Sequence, residues 1–180
     1  DSDFLNMPYS CITMNNREIA CRLLEHLAAL GHKHVGYLGS AIETGNFRAR
    51  YLGFLEAAEK LGLTYSTEDL FLLRPAMEKA AEDMIALLKS TKVSCTAFFA
   101  ANDTIAIGAM KALREAGYHV PRDISVVGVD NIPFSSVSLP PLTTMDISCE
   151  DMAKWAVRVL HQELQNRALP KAKVQLSGNL

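Results

Sequence analysis

The chain has 180 residues, 49% of them hydrophobic and 21% charged, with a formal net charge of −2. That length and apolar content suffice to close a core without metals or disulfides, and the near-balanced charge advertises no broad basic face for a nucleic-acid backbone. No apolar run approaches the ~18 residues of a membrane span, and Asp1 to Ser10 show no basic region followed by an apolar stretch, so a cytoplasmic protein is expected.

Asn15 and Asn16 are good helix caps, and after them Ile19, Leu23, Leu27 and Leu30 recur at helical spacing until Gly31. The run His34 to Leu38 is strand-like. After a Gly/Ser/Thr loop, Tyr51, Phe54, Leu55, Ala58 and Leu61 predict a second helix that stops at Gly62. Phe71-Leu72-Leu73 reads as a strand, 76–89 as a helix and Cys95 to Ala100 as a strand. A helix follows with Ile105, Ala109, Ala112, Leu113 and Ala116, and Ile124 to Gly128 forms a further buried strand. The proline-bearing segment 129–144 breaks the alternation, and Met152, Ala156, Val159 and Leu160 predict a final helix. Apolar strands that alternate with helices imply a doubly wound α/β fold, a mainly parallel sheet with helices on both faces. The four cysteines, Cys11, Cys21, Cys95 and Cys149, form no CxxC pair, and three lie in apolar segments, so buried free thiols in a reducing compartment are expected.

In open parallel sheets ligands sit beyond the carboxyl ends of the strands, which selects three places. Arg48 and Arg50 open the helix after Tyr37-Leu38, Asn102 and Asp103 follow Phe98 to Ala101, and Asp130 follows Val126 to Val129. A guanidinium, an amide and a carboxylate on one rim offer donors and acceptors to a small polar solute. Each residue also has a plain structural use: Asn102 or Asp103 as a helix cap, Asp130 in a turn with Asn131, the arginines on a solvated face.

Catalytic patterns do not appear. Gly39 and Gly45 bracket a loop, but no Lys-Ser/Thr pair follows and no GxGxxG turn occurs. His32 and His34 lack carboxylates or thiols at ligand spacing, so no metal is expected, and no cofactor either. Ser135, Ser136 and Ser138 lie in a proline-rich loop without a nucleophile elbow.

The stretches Glu25 to Leu38, Arg50 to Phe54 and Ala100 to Ala109, then Val120 to Asn131 and Pro140-Pro141-Leu142-Thr143-Thr144, resemble the effector domain of lactose-repressor (LacI/GalR) type transcription regulators. The resemblance implies a periplasmic-binding-protein-like (type I) fold of two α/β lobes with a small effector, a sugar or related metabolite, in the cleft between them. It implies that Arg50, Asn102 and Asp130 contact the effector. It also implies a fragment, without the helix-turn-helix through which operator DNA would be bound. Residues 16–144 would form the C-terminal lobe, and 1–14 and 146–170 remnants of crossings into the other lobe. Many relatives carry an aromatic platform where this chain has Arg74 after Phe71-Leu72-Leu73. With Arg50 it would supply a second cation for an anionic or densely hydroxylated ligand. The resemblance places the apolar loop carrying Ile132, Phe134, Val137 and Leu139 at a homodimer contact. A solute receptor of the same fold that serves a membrane permease is the rival reading.

Overall fold

The computed structural model describes residues 8–166 and 170–180. In chain order its elements are β1 Cys11–Met14, α1 Asn16–Ala29, β2 Val35–Ser40, α2 Gly45–Leu61, β3 Leu70–Leu73, α3 Met77–Ser90, β4 Ala97–Ala100, α4 Asp103–Glu115, β5 Ser125–Val129, β6 Thr143–Met145, α5 Cys149–Gln165 and β7 Lys173–Leu176. The apolar runs at 35–40, 97–100 and 125–129 are buried almost throughout, as strands covered on both faces must be.

Five strands pair in the order β3-β2-β4-β5-β6, every pair parallel. Alternate residues sort the helices. Tyr37 and Phe99 share a register position on one face, where Tyr37 meets the rings of Tyr51 and Phe54 on α2, and α1 packs against α2. Gly128 points to the other face, where Asp103 of α4 lies against it and α3 packs on α4. Helix α2 ends as the sequence requires, with Gly62 in the left-handed conformation at φ 65. The chain runs outward from β2 to β3 and then returns to place β4 on the other side of β2, so the carboxyl ends of β2 and β4 flank a topological switch point.

A second, small sheet pairs β1 with β7 in parallel, Cys11 opposite Lys173 and Met14 opposite Leu176, and α5 packs on β1. Of α5 only Val159 is buried, whereas Trp155, Val157, Leu160 and Leu164 remain exposed.

Several expectations need correction. Strand β6 lies at the end of the segment read as irregular; three residues after Pro140-Pro141 are too few to show a period. Leu30 closes α1 with its side chain in solvent, beyond the buried stripe of Ile19, Leu23 and Leu27. Of the four cysteines, all free, only Cys95 is buried; Cys11 and Cys21 are half-buried and Cys149 is exposed. Burial pushes the Cys95 thiol up to about 12, which keeps it protonated and inert.

Candidate functional site

The switch point is organised by Arg50, whose side chain is almost wholly buried in the second turn of α2. A buried guanidinium needs acceptors for its N–H groups, and three segments supply them. Nε donates to Asn16 Oδ1 at 2.8 Å, Nη1 donates to the Ala101 carbonyl oxygen at the end of β4, and Nη2 donates to Asp130 Oδ1 at 3.2 Å and lies 3.6 Å from Met14 Sδ. Asn16 in turn donates to Asn46 Oδ1 at 3.1 Å in the first turn of α2. Arg50 thus ties the β1–α1 junction, the end of β4 and the turn after β5 into one rim. The Asp130 carboxyl is pushed above the usual carboxylate range by loss of hydration, with the Arg50 charge opposing the rise. It stays about one-third exposed, with one oxygen on Arg50 and room for a further partner.

Asp130 reaches this position on unusual backbone, φ 111 followed by Asn131 at φ 45. Asp103 holds the loop behind that turn. Its fully buried carboxylate accepts from the Ile132 N–H at 3.1 Å, the Ser135 hydroxyl at 2.6 Å and the Thr144 hydroxyl at 2.6 Å. Gly128 is required there, since a Cβ would stand 2.2 Å from Asp103 Oδ1. Burial raises the Asp103 pKa in spite of these three donors.

The remaining sequence-selected residues separate. Asn102 caps α4, its side chain accepting from the Ile105 N–H at 2.9 Å, which satisfies a helix donor while the residue stays half-buried beside the rim. Arg48 is exposed and lines a neighbouring cavity instead of joining Arg50. Arg74 is 47% exposed and committed to α3, with Nη2 2.6 Å from Asp83 Oδ1 and 3.1 Å from Glu82 Oε2. Two carboxylates neutralise it, and the structure does not bring it to the Arg50 group. Ile132 is half-buried, whereas Phe134, Val137 and Leu139 are 57%, 70% and 77% exposed, three apolar side chains on one anchored loop.

Sequence reasoning missed Asn16, because an amide at a helix start reads as a cap; Asn15 takes that role and leaves Asn16 for Arg50. It also missed a polar cluster at the opposite end of the sheet. His34 Nε2 is 3.1 Å from Asp69 Oδ2 and 3.2 Å from Ser94 Oγ, and Nδ1 is 2.9 Å from Thr64 Oγ1. Asp69 and Ser94 address the same ring nitrogen and the Ser94 hydroxyl donates to Asp69, so the three groups do not stand in the serine–histidine–carboxylate order of a relay. The cluster joins the starts of β2, β3 and β4. His32 does similar work between Thr96 and Ser125. Among the described residues no group of three or more metal-ligating side chains occurs, and no helix is long and apolar enough to cross a membrane.

Residues 24–180 match the family model of the periplasmic binding protein-like domain. The chain is 33% identical over 156 residues to the HTH-type transcriptional repressor PurR of Mannheimia succiniciproducens, covering 87% of this chain and 46% of that protein. It is 32% identical over 154 residues to the HTH-type transcriptional regulator GalS of Salmonella typhimurium, covering 86% and 45%. The chain therefore spans about half the length of these curated relatives. Among solved structures, a transcriptional regulator CelR–cellobiose complex superposes with a TM-score of 0.86 at 22% identity over 96% of this chain and 52% of that one. A regulatory protein of the LacI family from Chloroflexus aggregans superposes with a TM-score of 0.86 at 23% identity over 97% and 63%. The chain belongs to the periplasmic binding protein-like family, in the branch formed by the LacI/GalR transcription regulators.

Proposed function

We propose that this chain is the effector-binding region of a cytoplasmic, homodimeric LacI-type regulator, which converts occupancy by a small metabolite into a change in operator affinity. The observation that carries the reading is the Arg50–Asp130 pair at the switch point, with Asn102 beside it. An effector with adjacent hydroxyls would accept from Arg50 and donate to the exposed oxygen of Asp130, replacing water on a preformed rim. The relatives named above are regulators, which favours this reading over a solute receptor. The structure matched above carries cellobiose, which supports a sugar as the effector class. Arg74, balanced by Glu82 and Asp83, gives an anionic ligand no special advantage.

Residues 16–144 are read as the C-terminal lobe, with 1–14 and 146–170 belonging to crossings into a second lobe; of these, 1–7 and 167–169 lie outside the described residues. The exposed side of α5 would pack in that second lobe, and the loop carrying Phe134, Val137 and Leu139 would meet its copy in the dimer. Operator DNA would be bound by a separate N-terminal domain, in keeping with the formal net charge of −2 on this chain.

Calorimetry of the intact protein with sugars, phosphorylated sugars and nucleobases tests the site. Asp130→Ala and Arg50→Ala should each weaken the ligand found by about tenfold or more, the loss expected when a hydrogen bond to a charged group is removed, with operator affinity retained. Undiminished affinity in a folded Asp130→Ala protein would overturn the assignment.

A further inference from the structure

Beside the Arg50 rim, a separate cavity of about 500 Å³ opens between the first turns of α2, strand β2 and the edge strand β3. None of Arg50, Asn102 and Asp130 lines it. Its inner wall is aromatic, made by Tyr37, Phe47 and Tyr51, with the Tyr37 and Tyr51 ring centroids 5.1 Å apart, and Leu70 and Leu72 face them from β3. Gly39 makes room for this wall: a Cβ there would stand 2.9 Å from Tyr37 Cε1, so the Tyr37 ring lies along its own strand, toward the cavity. The Tyr37 ring is buried, but its hydroxyl, which has no hydrogen-bond partner among the described residues, is not a buried atom and opens to the cavity that the residue lines. A hydroxyl that opens on a cavity and has no protein partner is free to donate to an acceptor on whatever enters it.

We propose that this cavity is a second small-molecule site, which takes a planar aromatic molecule of one or two fused rings carrying a hydrogen-bond acceptor for Tyr37. The volume lies in the range of small-ligand pockets. The lining decides the class. A sugar would leave most of its hydroxyls facing Leu70, Leu72 and the aromatic rings without partners, whereas a flat ring meets those surfaces at no such cost. At the mouth Arg48 is offset by Glu43, which removes the advantage an anion would have from the arginine alone. The two sites share Phe47: it lines the cavity, and the Arg50 guanidinium lies 6.0 Å from its ring centroid. An occupant that shifts Phe47 therefore changes the setting of Arg50, and the cavity becomes a place from which a second signal reaches the first.

The test uses quinoline, whose fused rings carry one acceptor nitrogen, added to the intact protein and followed by saturation-transfer NMR and calorimetry. The wild-type protein should bind it. Tyr37→Phe should weaken binding by about fivefold, the effect of one neutral hydrogen bond, while leaving the melting temperature unchanged or higher, because the hydroxyl removed had no partner. Leu72→Trp, at a wall position that is 68% exposed, should fill the cavity and abolish binding without disturbing the core. Asp130→Ala should leave quinoline binding intact, which separates this site from the effector rim. Failure of wild type to bind at millimolar quinoline, equal binding by all variants, or loss confined to Asp130→Ala would each overturn the proposal. A lower melting temperature for Tyr37→Phe would do so as well, by giving the hydroxyl a structural role.

Discussion

At Asp103 two effects oppose each other on one side chain. Two hydroxyls and an N–H favour the ionised carboxylate, whereas complete burial disfavours it, and burial wins, so the pKa lies above the ordinary value of 3.8. The folded chain then binds this proton at a pH where the unfolded chain has released it. By linkage, the contribution to stability is fully present below the unfolded pKa and is lost as pH rises through the folded one. Asp103→Asn removes the titration while keeping one acceptor oxygen. The stability of wild type relative to this variant should therefore grow between pH 7 and about pH 4, read from urea midpoints; a difference that does not change with pH would contradict this. Half-buried Asp83, whose carboxyl the Arg74 hydrogen bond holds below the usual range, carries the opposite sign.

Helices α3 and α4 meet at Gly108, where a Cβ would stand 2.5 Å from the Met77 carbonyl oxygen and 2.7 Å from Ala80 Cβ. Alanine would favour the α4 helix by about 1 kcal/mol, but overpacking costs about 1–3 kcal/mol, and a helix backbone carbonyl cannot rotate aside. Gly108→Ala should accordingly destabilise the protein by up to about 2 kcal/mol in denaturant unfolding; a stabilised variant would show that the helices are free to separate. That glycine carries no mark in the sequence, because its neighbour across the contact lies about thirty residues away. The same distance explains what else was legible. Strands β2 to β5 announced themselves by local apolar runs, Asp130 by standing just past a strand end, and Arg50 by its place early in the helix that follows a strand. Strands β1, β6 and β7 are three or four residues long and owe their existence to partners elsewhere in the chain. The Asp103 cluster draws on residues 29 to 41 positions away. Arg74 looked available as a ligand cation until Glu82 and Asp83, a helix turn or two later, were brought back against it.

For the whole molecule, the loop held by Asp103 presents Phe134, Val137 and Leu139 to solvent while Ser135 beside them is buried. A fixed apolar surface of this kind suits an isologous contact better than a mobile one, since its ordering cost is already met in the monomer. Val137→Asp with Leu139→Asp should shift the intact protein from the dimer proposed above to monomer in sedimentation velocity while leaving its melting behaviour cooperative; an unchanged dimer would exclude this surface. The pairing of β1 with β7 has a different consequence, one of time. Cys11 faces Lys173, so β1 must wait until almost the whole chain between them exists and has been drawn together. Closing so long a loop from an unfolded chain costs about 4–5 kcal/mol in entropy, and the cost falls only once the five-stranded sheet has brought its two ends near each other. Folding of the larger sheet should thus precede the smaller one, and the smaller should open first. Backbone amides of 11–14 and 173–176 are expected to exchange with deuterium well before those of Val35–Ser40 and Ala97–Ala100. The strands that lace the ends of this chain together are then its last to close and its first to let go, a seam at which the protein can loosen while its five-stranded sheet stays folded.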